Sequence, residues 1–536
     1  MAFIRIDDKE LEVEQETSVL EAALAGGIEI PHYCYHPALD IVGSCRMCLV
    51  QVEGMDKLQI SCNTFIEEVS KEKKVDGKYD AVIHTQNDLV KKEQENILEF
   101  LLINHPLDCP VCDQAGECLL QDYSFRYGRA HSRFEENKRV RPNEYLGSRI
   151  VINHNRCIMC TRCVRFTEQI SGTKELFIKF RGNPSKIAVL EDHPLDNFLA
   201  GNAADICPVG ALLSTDYIHK NRIWNLSNQS SVCTDCSVGC NIDVCYQDDR
   251  IYRITPRENH EVNGYFMCDI GRYGFHRYED IERVTQPLIR KNGEFSEISW
   301  EGALKEVFDH FTRGTEKEKP FVAGIVSPFH TNESNFLLGR LMKKVFRGRS
   351  ALGMLPPIEE EKDLVYSSGF RISGDRSPNR RGVVDLCPDL VDDILDTIRE
   401  KKIKLMYVLD DGIDRGLGEG WGDVFRNLRF AVVQTYAMTP MARSAHLVLP
   451  GPAPLEREGT LTSDRGRVQW LRPSLPLSGS IRHDWAIVME VMNTVGKREL
   501  KYGDVADILR EIGDDFPAYS EISLFRLGDQ GLPTDG

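Results

Sequence analysis

The stretch His105–Cys118, HPLDCPVCDQAGEC, constrains this chain more than any other. It holds one imidazole and three thiols, those of His105, Cys109, Cys112 and Cys118, around Pro106, Pro110 and Gly116, so it cannot be a regular helix. A loop of this kind wraps something small, and thiolate-rich donor sets select soft metal ions or iron–sulfur clusters. The rest of the first half repeats the theme. Of the 17 cysteines, 16 lie at or before Cys268 and only Cys387 lies beyond it. In a reducing compartment such usage argues for metal ligation over disulfides.

The cysteines fall into four groups. Cys34, Cys45, Cys48 and Cys62 are spaced C-x10-C-x2-C-x13-C, with Gly43 and Ser44 small enough to let a loop fold over the sulfides of a 2Fe–2S cluster. The alternative is structural zinc, which more often shows two C-x2-C knuckles where this group has one. In the second group the offset of His105 from Cys109 and Cys112, with only three cysteines at hand, makes the histidine the expected fourth ligand of a 4Fe–4S cluster. Cys157, Cys160 and Cys163, closed by Cys207 in a distant Cys-Pro, form the ferredoxin-type run for a 4Fe–4S cube, and a single run means one cube. Cys233, Cys236, Cys240 and Cys268 offer four more thiolates for another cube. Only Cys245 and Cys387 are left over.

Around these groups the chain reads as a succession of elements. FIRI and LEVE suggest a hairpin, and SVLEAALAGG a helix capped by Ser18 and ended at Gly26–Gly27. TQNDLVKKEQENILEFLLI reads as an amphipathic helix from a Thr85–Asp88 capping box, with Leu89, Ile97 and Leu101 on its apolar face. Beyond about residue 285 the pattern becomes α/β. FVAGIV, IKLMYVLD and FAVVQT are continuous apolar runs suited to a parallel sheet, and EGALKEVFDHF and ESNFLLGRLMKKVF are helices between them. Gly412, Gly416, Gly418, Gly420 and Gly422 do not fit G-x-G-x-x-G, because Trp421 interrupts them, and read as a loop at a strand end. GTLTSDRGRVQW reads as a loop entering a strand. The net charge of −16 and the lack of a basic stripe make a dedicated nucleic-acid binder a poor fit. No secretory signal or bilayer-length apolar run is evident, so a soluble, intracellular protein is expected.

Cys34-x10-Cys45-x2-Cys48-x13-Cys62 followed by LLINHPLDCPVCDQAGECLLQD resembles the large iron–sulfur subunit of NADH:quinone oxidoreductase, respiratory complex I. ISWEGAL, HLVLPGPAPLEREGTLTSDRGRVQW and DWAIVMEVM resemble the molybdopterin-oxidoreductase fold that such subunits carry as a non-catalytic relic. The resemblance implies an α+β part followed by an α/β part. Residues 1–80 would be a 2Fe–2S ferredoxin-like β-grasp domain, 81–145 a 4Fe–4S domain with one histidine and three cysteine ligands, and 146–224 a ferredoxin-like 4Fe–4S domain. A molybdopterin-oxidoreductase-type 4Fe–4S domain would span 225–284, and a shortened molybdopterin-oxidoreductase-like α/β domain 285–536.

By the same resemblance, the cofactors would be one 2Fe–2S and three 4Fe–4S clusters, with no molybdopterin. Molybdenum enzymes of this type usually carry a lysine two residues after the last cluster cysteine, where this chain has Ile270, and Cys387 is the one candidate metal ligand, in an unsuitable context. The protein would be an electron-transfer subunit of an oxidoreductase complex, with no catalytic residues or substrate site of its own. It would relay electrons from a flavin- and NADH-binding subunit and a small 2Fe–2S subunit toward quinone-side peripheral-arm subunits, on the cytoplasmic face of the cell membrane without inserting into it. The alternatives are an equivalent wiring subunit of a soluble NAD-linked hydrogenase, formate dehydrogenase or electron-bifurcating complex, and a catalytic molybdenum or tungsten oxidoreductase.

Overall fold

The computed structural model describes residues 1–70, 74–279, 281–312, 321–359, 362–413, 418–497 and 499–534. They divide into two units, one of Met1–Leu226 with Tyr366–Phe370 and one of Ser227–Val365 with Arg371–Gly536.

In the first unit, alternate burial of Ala2, Ile4 and Ile6 marks strand β1 (Ala2–Ile6), which pairs with β2 (Lys9–Val13) in the expected hairpin. Helix α1 (Val19–Ala25) starts where the sequence places it. Ser18 Oγ accepts from Glu21 N–H, and the Glu21 carboxylate accepts from Ser18 N–H. Strands β3 (Leu49–Val52), β4 (Gln59–Ile60) and β5 (Ala81–His84) complete a five-stranded sheet of order β2-β1-β5-β3-β4. Only β1 and β5 run parallel. Val19, Leu20, Ala22 and Ala23 of α1 share one core with Ile4, Ile6, Val50 and Ile83, so the helix lies across the sheet as in a β-grasp.

The long helix spans Asp88–Leu102 and departs from the sequence reading at its start. Asn87, not Thr85, is the cap, accepting from Val90 N–H. Thr85 is taken by a longer-range contact, its backbone N–H and hydroxyl both donating to Asp7. The buried stripe is Val90, Gln94 and Leu98, at a spacing of one helical turn, while Leu89 faces solvent. Beyond it lie a three-stranded sheet (Leu212–Ser214, Ile150–Ile152, Glu144–Tyr145) and a hairpin (Phe177–Lys179, Lys186–Ala188). A one-turn helix, Arg162–Arg165, runs into a π-helical turn, Phe166–Ile170.

The second unit opens with an antiparallel meander, Ser227–Val232, Asn241–Gln247 and Arg250–Pro256. Its main sheet has seven strands. Ser350–Met354, Val322–Val326, Leu405–Leu409, Phe430–Thr435 and Leu447–Pro450 are parallel neighbours in that order. The hairpin Leu288–Lys291 and Glu294–Glu297 extends the sheet antiparallel. Three of the parallel strands are the apolar runs read from the sequence, and helices Trp300–Thr312 and Asn332–Arg340 fall where expected.

Two readings of this half are corrected. Gly418, Gly420 and Gly422 lie in a helix, Gly418–Asn427, whose Trp421, Val424 and Phe425 are buried; Gly412 alone fits a strand-end loop, at φ 73°, and Gly416 lies outside the described residues. GTLTSDRGRVQW is not a loop entering a strand but a hairpin of Gly459–Thr462 and Arg467–Leu471. Its first strand is fixed by buried polar partners, Glu333, Asn332 and Asn379 bonding Thr460 and Thr462. Among the described residues no helix is long and apolar enough to cross a membrane.

Candidate metal centres

The donors of the four groups sit in loops and short turns held by neighbouring regular structure, with Cys163 in the one-turn helix Arg162–Arg165. In the first, Cys34 follows α1, Cys45 and Cys48 precede β3, and Cys62 lies in the turn Ser61–Asn63. Ser61 N–H donates to Cys48 O at 3.0 Å, and Cys34 N–H points at Cys45 Sγ at 3.5 Å. The thiols are linked in pairs: hydrogen bonds from Cys45 and Cys62 hold Cys34 low, one from Cys62 holds Cys48 low, and the same bonds drive Cys45 and Cys62 up. The loop turns back through Gly43 at φ 57° and Arg46 at φ 62°, the latter a left-handed non-glycine residue that the surrounding fold must hold in place.

In the second group, Cys109 opens the turn Cys109–Val111, Cys112 follows it, and Cys118 stands at the start of helix Leu119–Tyr127. The three cysteines act on one another electrostatically, and burial pushes Cys118 up to about 11. His105 lies among Arg156, Lys138 and Asp108, so its place as a ligand rests on the sequence spacing. Burial foremost, then those two cations, pushes its imidazole down to about 4, which leaves the ring neutral and its lone pair available near pH 7. Arg222 donates to the carbonyls of Cys112 and Pro110, and Arg156 pairs with Asp108 at 2.9 Å. A Cβ on Gly210 would stand 2.2 Å from Cys112 Sγ. The Cys207-Pro208-Val209-Gly210 turn therefore passes close against this group, and Leu119 N–H donates to Pro208 O at 3.1 Å.

The third group gives the clearest fit. Cys157, Cys160, Cys163 and Cys207 line one small cavity with Ile152, Ile158, Ile187, Val209, Ala211 and Leu212, and Thr161 and Arg162 complete its wall. The loop achieves this through Met159 at φ 53° and Thr161 at φ 64°. Burial pushes all four thiols up, Cys157 to about 11 and Cys160 to about 12. Backbone N–H groups of Met159, Arg162, Val164, Val209, Ala211 and Leu212 oppose that rise by facing the sulfurs. Amide donors converging on sulfur in an apolar cavity suit an anionic iron–sulfur group, which takes the thiols as thiolates and releases their protons.

The fourth group belongs to the second unit. Cys233 N–H donates to Cys240 O at 2.9 Å, and Cys268 begins helix Asp269–Tyr273. Cys233, Cys236, Cys240 and Cys268 act on one another electrostatically and are all pushed up by burial. A Cβ on Gly271 would come within 2.6 Å of Cys233 Sγ. Among the described residues no three His, Cys, Asp or Glu side chains converge tightly enough for a single metal ion. The leftover cysteines do not join a group. Cys245 lies in a strand against Asn228, and the Cys387 thiol faces the Asn335 carbonyl in the apolar core.

The second unit also has a larger cavity, beyond the C-terminal ends of the parallel strands. Phe329, Ile358, Asp411, Gly412, Tyr436 and Thr439 line it, with Asp235 from the fourth group's loop and Ile270 from the helix after Cys268. The parallel strands, taken in chain order, are arranged 2-1-3-4-5, and a cavity at the carboxyl ends of such a sheet is where this class of fold places ligands. Arg277 and Arg443 at its wall are already paired, with Asp235 and Glu282. The sequence reading missed this cavity, because its walls come from loops that carry no motif.

Each donor group falls within a segment that matches a described family. Residues 2–71 match a 2Fe-2S iron-sulfur cluster binding domain, 94–133 the NADH-ubiquinone oxidoreductase-G iron-sulfur binding region, and 147–213 the ferredoxin-like domain of NADH-quinone oxidoreductase subunit 3. Residues 227–280 match the molybdopterin oxidoreductase Fe4S4 domain, and 283–355 with 388–494 the molybdopterin oxidoreductase family. Among curated proteins, an NADH-quinone oxidoreductase subunit of Rickettsia conorii is 40% identical over 345 residues, covering 64% of this chain and 49% of that one. The NADH-ubiquinone oxidoreductase 75 kDa subunit of Reclinomonas americana is 35% identical over 377 residues, 69% of this chain and 52% of that one. The chain thus spans about half the length of these relatives. A chain of an NAD+-reducing [NiFe]-hydrogenase, solved in the H2-reduced state, is 29% identical with a TM-score of 0.35, covering 41% of this chain and 91% of that one.

Proposed function

We propose, on the premise that the chain belongs to the family of the large iron–sulfur (75 kDa) subunit of NADH-quinone oxidoreductase, that it relays electrons singly between protein partners and carries no substrate site of its own. The observation that carries this reading is the cavity walled by Cys157, Cys160, Cys163 and Cys207, which offers four sulfurs among mostly apolar neighbours, with Thr161 and Arg162 the other polar residues of its lining. When bound, iron–sulfur clusters supply one-electron carriers whose potentials follow charge, hydrogen bonds to sulfur and exposure.

The chain's own residues do the rest. Cys34, Cys45, Cys48 and Cys62 would hold a 2Fe–2S cluster. His105 with Cys109, Cys112 and Cys118, then Cys157, Cys160, Cys163 and Cys207, then Cys233, Cys236, Cys240 and Cys268, would each hold a 4Fe–4S cluster. Of the five segments bounded at residues 80, 145, 224 and 284, the first four would be their folding units and 285–536 the α/β domain. The neutral His105 leaves its group with one negative charge fewer than a fourth thiolate would. Burial of Cys160, Cys163, Cys207 and the four thiols of the fourth group keeps water from those sulfurs, and backbone N–H groups facing sulfur temper the charge there.

Electrons would enter from a flavin subunit that oxidises NADH and from its small 2Fe–2S companion, and leave toward quinone-side subunits of a peripheral arm on the cytoplasmic face of the membrane. Anaerobic iron and sulfide analysis with EPR of the reduced protein tests the reading. About fourteen iron atoms per chain, with signals of both cluster types and no molybdenum or tungsten, are expected. Stoichiometric molybdenum would move the chemistry to the cavity beside Ile270, and zinc in place of iron would end the redox reading.

A further inference from the structure

Two arginines of the first unit are buried without a counter-charge. Arg162 and Arg165 are each only 7% exposed, and neither has a carboxylate partner among the described residues. Their hydrogen bonds go to neutral acceptors. Arg162 donates to Tyr35 O and, at 3.4 Å, to Ile206 O, and its Nε is buried with no partner. Arg165 donates to Cys34 O at 2.5 Å, Asp40 O at 2.7 Å, Cys160 O at 3.5 Å and Thr161 Oγ1 at 3.3 Å. A buried cation without an anion costs several kcal/mol and persists only where the fold supplies a compensating charge.

The positions of these acceptors show where that charge must lie. Tyr35, Cys34 and Asp40 belong to the loop of the first donor group; Cys160 and Ile206 flank the third. The two arginines are three residues apart on one helical turn, so their side chains share a face. The helix enters from Thr161 in the left-handed region and leaves through the widened π turn, from which Gln169 also accepts from Asp40 N–H at 2.9 Å. A π turn of this kind often marks a functional site. Electrostatically, Arg162 acts most strongly on Cys160 and Cys207, then on Cys34.

We propose that Arg162 and Arg165 are positioning residues forming a two-cation bridge between the Cys34–Cys62 and Cys157–Cys207 sites, clamping the two loops together and raising the reduction potential of the cluster held at each. The proposal rests on those ligand assignments. The negative charge of two thiolate-bound clusters is the counter-charge that the arginines lack. Each site gains a negative charge on reduction, so a nearby fixed cation favours the reduced form. Exchange across the bridge moves one electron, with one site oxidised as the other is reduced, and no bond or proton changes. The planar fork of arginine suits the clamp, since one guanidinium reaches carbonyls on both loops.

The test is an EPR-monitored redox titration of the full iron-loaded chain, with iron counted, for wild type, Arg162→Gln, Arg165→Gln and Arg162→Lys. Both glutamine variants should lower the potentials of the 2Fe–2S signal and of the Cys157–Cys207 cluster, and Arg162→Gln should lower the latter more. Arg162→Lys should return both close to wild type. Full iron with potentials unmoved in the glutamine variants would overturn the bridge. If Arg162→Gln arrives short of iron, Arg162→Lys decides: recovery of iron and potential shows that charge is what the site needs, and loss of iron in both refutes it. A wild-type chain without these signals would instead sink the ligand assignments.

Discussion

Gly210 and Gly271 show how single residues make room for sulfur. A Cβ at either would fall well inside contact distance of a group's thiol, Cys112 at 2.2 Å and Cys233 at 2.6 Å. Gly210→Ala should therefore lower the iron bound by the His105–Cys118 site and cost about 1 to 3 kcal/mol through overpacking, read by iron analysis and EPR. A variant with full iron there would contradict the close approach. Cys160→Ala should remove the one cluster it serves and spare the signals of the others.

Glu333 supplies a test that needs no metal. It is fully buried, its carboxylate accepting from Thr460 N–H and hydroxyl, and burial pushes it up to about 7 from 4.5. A raised folded value means that its stabilising contribution is complete below about pH 4.5 and is lost as pH rises through 7. Glu333→Gln should then gain in thermal stability relative to wild type between pH 5 and 8, by roughly 3 kcal/mol at most. A difference independent of pH would show that the carboxyl does not titrate there.

At the scale of elements, the parts written in local pattern were legible and the parts fixed by distant partners were not. The β1–β2 hairpin and the Ser18 cap needed only neighbours in sequence, and both stand where the pattern puts them. Ser18→Ala should cost about 1 kcal/mol and expose the start of α1 to faster amide exchange, and unchanged exchange there would argue against the cap. Thr85 misled because Asp7, far away in sequence, claims its hydroxyl. The glycines from Gly418 misled because intrinsic propensity is a weak prior, outweighed here by burial of Trp421, Val424 and Phe425. Gly459–Thr462 was hidden for the same reason as Thr85, since the buried Glu333, Asn332 and Asn379 that hold it lie outside its own segment. For the candidate sites, spacing named cysteine groups whose members act on one another in the fold, while His105 rests on spacing alone. It could not reveal Arg162 and Arg165, whose meaning lies in what surrounds them.

Over the whole molecule, the two units depend differently on what the donors hold. Cys34, Cys118, Cys160, Cys163 and Cys207 are members of the largest core of the first unit, whereas Cys387 is the only cysteine in the two cores around the seven-stranded sheet. Anaerobic removal of iron should therefore cost Ile150–Ile152 and Leu212–Ser214 their protection from hydrogen exchange, while Val322–Val326 and Leu405–Leu409 keep theirs. Equal loss in both units would contradict that division. The burial of the thiols also sets an order of events in biogenesis. Cys34, Cys62, Cys160, Cys163, Cys207 and every donor of the fourth group are closed off in the folded chain, while Cys109 stands exposed. Clusters held by these thiols would have to be inserted while the polypeptide is still open, as a shipwright steps the engine before laying the deck. Cys109 is the exposed thiol of the set, with Cys45 and Cys157 half-buried, so a cluster at the second group would be the one that solvent and oxidants reach most directly.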